Sequence, residues 1–97
     1  VGQPFDGDAR ASYARLQFNA GRWHGEIVRL DYDRQRAIDD FEQSGFMEQG
    51  GALTRLIFRE FYEARMHVGP WRRRFLEAVR AGEIGVADSV ERYLEGL

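Results

Sequence analysis

Glu60, Glu63 and His67 stand three and four residues apart in the stretch ALTRLIFREFYEARMHV, so on a helix all three share one face. Two carboxylates and an imidazole at that spacing are the kind of donor set that holds a metal inside a helical bundle. The set is incomplete. The chain has one other histidine, His24, which together with Glu26 would have to converge on the same point. The simpler reading is a histidine in a last helical turn, favoured by the helix dipole and paired with Glu63. Glu60, Glu63 and His67 therefore stand as weak metal-ligand candidates, and no cofactor is expected. Asp31, Asp33, Asp39 and Asp40 form a second acidic group. A calcium loop starting at Asp31 would need an oxygen ligand at its fifth position and glycine at its sixth, where Gln35 and Arg36 stand. The aliphatic hydroxyls, Ser12, Ser44, Thr54 and Ser89, lie in no nucleophile elbow, and Gly50-Gly51 lacks the Lys-Ser/Thr of a phosphate loop.

Arg72, Arg73 and Arg74 follow Trp71, with Arg55, Arg59, Arg65 and Arg80 nearby. Clustered arginine beside an aromatic ring is one way to track phosphates and stack bases. Three successive residues on a helix fan over about 200°, however, so these three cannot serve one surface. The net charge is −2, and the following segment carries Asp88, Glu91 and Glu95, acids that a recognition helix would aim at phosphate. Nucleic acid is disfavoured as a partner. All fourteen cations are arginine and thirteen residues are aromatic. These residue types are enriched where proteins meet proteins. Trp71, Arg72, Arg73, Arg74, Phe46, Met47 and Tyr62 are the candidate contact residues. A pocket lined by Phe58, Phe61, Tyr62, Trp71 and Phe75 is the alternative use of the same rings.

The elements that would position these groups read as helices. Residues 52–68 carry the strongest helical pattern, with Leu53, Ile57, Phe61, Ala64 and Val68 on one stripe. Leu56, Phe58 and Tyr62 lie off it, so this helix needs apolar neighbours on more than one side. Residues 9–20 show a narrower stripe (Ala9, Tyr13, Leu16, Ala20), behind Asp8 as N-cap and before Gly21 as a left-handed stop. Residues 22–43 admit two readings. One helix puts Trp23, Ile27, Leu30, Ile38 and Phe41 on a stripe, interrupted by Arg34 and weakened by Gly25. Alternatively Val28, Leu30 and Tyr32 alternate with Arg29, Asp31 and Asp33 as in a strand, and a helix begins near Asp33. No second strand is evident to satisfy its backbone, so the helix is preferred. Residues 44–51 read as a glycine-rich loop bearing Phe46 and Met47. Gly69-Pro70 reads as a tight corner before a helix over 70–81, and residues 86–97 as a last amphipathic helix.

The expected fold is therefore a single all-α domain over residues 1–97, a bundle of four to five helices with residues 1–7 as an irregular lead. The absence of cysteine excludes disulfides and thiolate chemistry, and no run approaches the ~18 apolar residues of a spanning helix. The opening residues VGQPFDGDAR show no signal-peptide pattern, and a cytoplasmic setting is expected. Charge is segmental: residues 22–49 are net −3, 52–82 net +4 and 83–97 net −3. That order suits antiparallel neighbours or a self-complementary dimer. The function expected is a non-enzymatic protein–protein interaction module, a regulator, adaptor or accessory subunit, whose partner is a protein or a second copy of itself. A ligand- or metal-binding bundle and a nucleic-acid-binding protein are the alternatives. An enzyme is expected only as a subunit contributing to a shared site.

Overall fold

The computed structural model describes residues 2–97; Val1, at the start of the expected lead, lies outside the described residues. The chain is mixed α/β, which corrects the all-α helical bundle expected from the sequence. A β-hairpin, β1 (Ala11–Asn19) and β2 (Arg22–Leu30), is followed by α1 (Arg34–Gln43), α2 (Phe46–Gln49), α3 (Thr54–Glu63), α4 (Val68–Arg80) and α5 (Val86–Glu95).

The segments expected as helices over 9–20 and 22–43 are instead the two antiparallel strands, with α1 after them. Strand-favouring residues line both strands: Tyr13 and Phe18 on one, Trp23, Ile27 and Val28 on the other. The two-residue connection is Ala20-Gly21, both with positive φ (50° and 77°). That is the turn geometry whose twist matches paired strands. The glycine expected to stop a helix thus closes a hairpin. Gly25, a cost in a helix, sits opposite Leu16 in the register, and a Cβ there would come 3.2 Å from Leu16 Cδ2.

Asp33 caps α1, its Oδ1 accepting from the Arg36 backbone N–H at 3.1 Å. Phe41 on α1 meets Phe46, Phe58 and Phe61 at 5.2–5.6 Å between ring centroids, which joins α1, α2 and α3 through aromatic edges. Arg34 ties α1 to the end of α3. Its guanidinium donates to the Tyr62 carbonyl and stands 5.1 Å over the Tyr62 ring. On its other side α3 feeds the main core of Leu56, Trp71, Phe75, Val90 and Tyr93, shared with α4 and α5. Leu56, outside the expected stripe, is fully buried, whereas Ile57 within it is exposed.

The tight corner is not at Gly69-Pro70. α3 ends at Ala64, which takes a left-handed conformation (φ 54°), and Gly69 and Pro70 lie in the first turn of α4. Proline's missing N–H costs nothing in a first turn. Glycine before it lacks the Cβ that would otherwise clash with the proline ring.

The helices pack on one another and the strands on each other, so the hairpin leaves the helical body as an arm. The molecule measures 60 × 31 × 20 Å with a radius of gyration of 17.8 Å. A compact chain of this length has a radius near 13 Å. No helix of the described residues is long and apolar enough to cross a membrane.

Candidate functional site: a buried histidine network and an apolar arm

The histidine that opened the chemical reading lies in the turn between α3 and α4. His67 is 4% exposed. Its Nε2 lies 2.8 Å from Glu63 Oε2 and its Nδ1 2.9 Å from the Tyr93 hydroxyl on α5. In its neutral form, with the proton on Nε2, the imidazole donates to Glu63 and accepts from Tyr93, so every group is satisfied. Glu60 does something different. Its Oε1 accepts the backbone N–H of both His67 and Val68 at 2.8 Å, so a carboxylate on α3 caps the positive end of α4. The three candidate metal ligands are thus engaged in holding three helices together. Among the described residues no group of three His, Asp or Glu is arranged to hold a metal. His24 and Glu26 sit on the hairpin arm, not beside His67.

Hydroxyl, imidazole and carboxylate in a row are also the order of a nucleophile, its base and an orienting acid. Here the hydroxyl belongs to a tyrosine that is itself buried. Burial raises Tyr93 above its ordinary value, and the negative charges of Glu63 and Glu60 push it further in that direction. A hydroxyl kept protonated and covered is a packing group. Glu63 moves the opposite way. A hydrogen bond from Arg59 holds its carboxyl below the ordinary value, and the bond to His67 adds to this.

These shifts set a pH dependence. The stabilisation from Glu63 is present above the unfolded glutamate value near pH 4.5 and is lost as pH falls toward and through its lower folded value. That from Tyr93 is complete below the unfolded tyrosine value near pH 10 and is lost as pH rises toward and through its higher folded value. Melting temperature plotted against pH should therefore hold a plateau between these limits. Glu63→Gln is expected to make the acid limb shallower, leaving the part due to Asp6 and Asp8, and Tyr93→Phe to flatten the alkaline one. Limbs that keep their slopes in both variants would remove the network from the account.

The candidate contact residues separate. Trp71 is 5% exposed, with its Nε1–H donating to Ser89 Oγ at 3.0 Å, and so is not offered to a partner. Arg72, Arg73 and Arg74 are exposed on α4, and Arg74 lies 4.9 Å over the Phe75 ring. Phe46 and Tyr62 belong to the exposed rim of the α1–α3 aromatic cluster, and Met47 is half-buried beside it. A 310 Å³ depression there is lined by Ala37, Asp40, Phe41, Ser44 and Phe46.

Among the described residues, the most exposed large apolar side chains lie where no contact surface was expected. Cross-strand partners project to the same side of a hairpin, and successive partners alternate sides. One side of the arm carries Phe18 opposite Trp23, Leu16 opposite Gly25 and Ala14 opposite Ile27. The other side carries Asn19/Arg22, Gln17/His24 and Arg15/Glu26, the last pair 3.7 Å apart, and nearer the base the apolar rungs Tyr13/Val28 and Ala11/Leu30. Leu16, Phe18, Trp23 and Ile27 are 61–69% exposed. The Phe18 and Trp23 rings meet at 5.2 Å near the tip. At the base, Arg29 on β2 pairs with Asp6 and Asp8 of the lead, and Asp8 also holds Arg10 at 2.8 Å. The hydrogen bond from Arg10 draws the Asp8 carboxyl far below the ordinary aspartate range. The clamp ties the arm to the lead, whose Gly7 N–H donates to the Ala64 carbonyl at the end of α3. The signal for this surface was in the sequence: apolar residues two apart at 14, 16 and 18 and again at 23, 25 and 27, with glycine standing at 25, on either side of a two-residue turn ending in glycine.

Comparison of the chain with protein-family models, with curated proteins and with solved structures finds no match.

Proposed function

We propose that the chain is a cytoplasmic, non-enzymatic protein–protein interaction module whose contact surface is the apolar side of the hairpin arm. The observation that carries this reading is the uncovered row of Leu16, Phe18, Trp23 and Ile27 on an element that projects from the helical body. A hairpin alone is marginally stable in water and needs its apolar side packed on something. Side chains of roughly 200 Å² each, about two thirds exposed, give the row on the order of 500 Å². That is the size of the largest apolar patch on a soluble monomer, a patch that is often functional. The helical body has its own core, and the lead joins the arm to it through the Arg29 pairs and the bond from the Gly7 N–H to the Ala64 carbonyl.

A photo-crosslinking amino acid placed at Trp23 or at Gln17 in the expressing cell tests this, because the two positions face opposite sides of the same arm. The expected result is a discrete covalent adduct from position 23 and none from position 17. Absence of an adduct from position 23, or equal labelling from both, would overturn the reading.

A further inference from the structure

We infer that the apolar side of the arm packs against the same side of a second copy, forming a two-layer, four-stranded sandwich in which the arms run in opposite directions. This rests on the reading of the arm as an interaction surface and names its occupant.

Three features select a second copy. The first is area. Two rows on the order of 500 Å² each bury about 1,000 Å² in total, which reaches the lower bound for a specific interface without help from the helical bodies. The second is charge. The three rungs Phe18/Trp23, Leu16/Gly25 and Ala14/Ile27 contain no charged residue, and the next rung on that side, Ser12/Arg29, has its arginine paired with Asp6 and Asp8, so the row holds no free charge to repel a second copy. The third is size. A two-fold axis crossing the arm at the Leu16/Gly25 rung sets Phe18 over the partner's Ala14 and Trp23 over the partner's Ile27. It sets the two Leu16 side chains together, each leaning toward the gap that Gly25 leaves beside it. Bulky groups thus meet small ones along one strand, and the interface is isologous, as a two-fold requires.

The antiparallel direction follows from shape and charge. Packed sheets lie ~10 Å apart. The narrowest dimension of the whole molecule is 20 Å, so parallel arms would crowd the two helical bodies together at one end. Opposed arms place the bodies at opposite ends. They also keep the two basic tips, each bearing Arg22, apart.

The chain lacks cysteine, so single introduced thiols report the geometry without interference. Light scattering across a concentration series should give a dimer for the wild-type chain and for Gln17→Glu, and a monomer for Leu16→Glu with unchanged helical circular dichroism. Under mild oxidation Leu16→Cys should form a disulfide-linked dimer and Gln17→Cys should not. A mixture of Ala14→Cys and Phe18→Cys chains should cross-link more than either alone. Wild-type protein that stays monomeric at every concentration overturns the inference, as does a dimer that survives Leu16→Glu. A monomer that sediments with phosphatidylcholine vesicles, and loses that property in Leu16→Glu, assigns the row to a bilayer and also overturns it. The photo-adduct separates the two levels. An adduct from position 23 at the mass of another protein leaves the interaction reading standing while this inference falls; no adduct removes both.

Discussion

Trp71→Ala is expected to destabilise the helical body by about 3–5 kcal/mol, the range for emptying a large aromatic site in a core. Domains of this size hold only ~5–15 kcal/mol in all. Trp71 is one of five buried side chains in the cluster shared by α3, α4 and α5, and so its loss opens a cavity that the remaining members are too few to fill. The variant also takes one of two partners from a buried hydroxyl. Ser89 is fully buried; its hydroxyl donates to the Val86 carbonyl at 2.7 Å and accepts from the indole at 3.0 Å. Trp71→Phe keeps most of the volume and loses the indole donor, so about 1–2 kcal/mol is expected, mostly the worth of one buried hydrogen bond. Denaturant titration followed by far-ultraviolet circular dichroism reads both. Equal midpoints for wild type and Trp71→Ala would show that the indole is a surface group after all, as the sequence had it.

Glu60→Ala should cost about 2–3 kcal/mol, because it removes one charged acceptor from two backbone donors at the start of α4. The usual cap comes from the residue preceding the helix, and here that residue, His67, makes no side-chain cap bond. Its imidazole is occupied by Glu63 and Tyr93. A carboxylate from the preceding helix substitutes, which fixes the angle between α3 and α4 at the same time. Glu60→Gln keeps an acceptor and loses the charge that the helix dipole favours, so roughly half the cost is expected. The same titration distinguishes the variants. Identical midpoints for Glu60→Ala and Glu60→Gln would place the effect in lost charge alone rather than in the paired N–H groups.

The two kinds of expected site residue fared differently for one reason. Glu60, Glu63 and His67 were legible as a group because they stand close in the chain; the pairing of His67 with Glu63 is present at 2.8 Å, but across the left-handed turn at Ala64 rather than along one helix. Their partners were not legible. Tyr93 is 26 residues away along the chain, and only the packing of α5 brings its hydroxyl to the imidazole. Trp71 and the arginines after it read as one contact patch in sequence, yet on a helix the indole turns into the core while the arginines stay outside.

Residues 70–81 and 86–97 show their helices from periodicity alone, and α4 and α5 occupy nearly those spans. Residues 52–68 show an apolar helix needing neighbours on two sides, and α3 meets α1 and α2 through Phe58 and Phe61 and the main core through Leu56. Its end was not determined locally, since Ala64 takes a left-handed turn that any sequence rule assigns to glycine first. The hairpin was decided only by tertiary structure. Tyr13, Leu16 and Ala20 fit a helical step while Ala14, Leu16 and Phe18 fit a strand step, so the local pattern satisfies both periods. A helix satisfies its backbone within itself, but a strand exists only once a second strand accepts its hydrogen bonds. That pairing, Ala11 with Leu30 through Asn19 with Arg22, runs outward from the Ala20-Gly21 turn, and it turns Leu16, Phe18, Trp23 and Ile27 to one uncovered side.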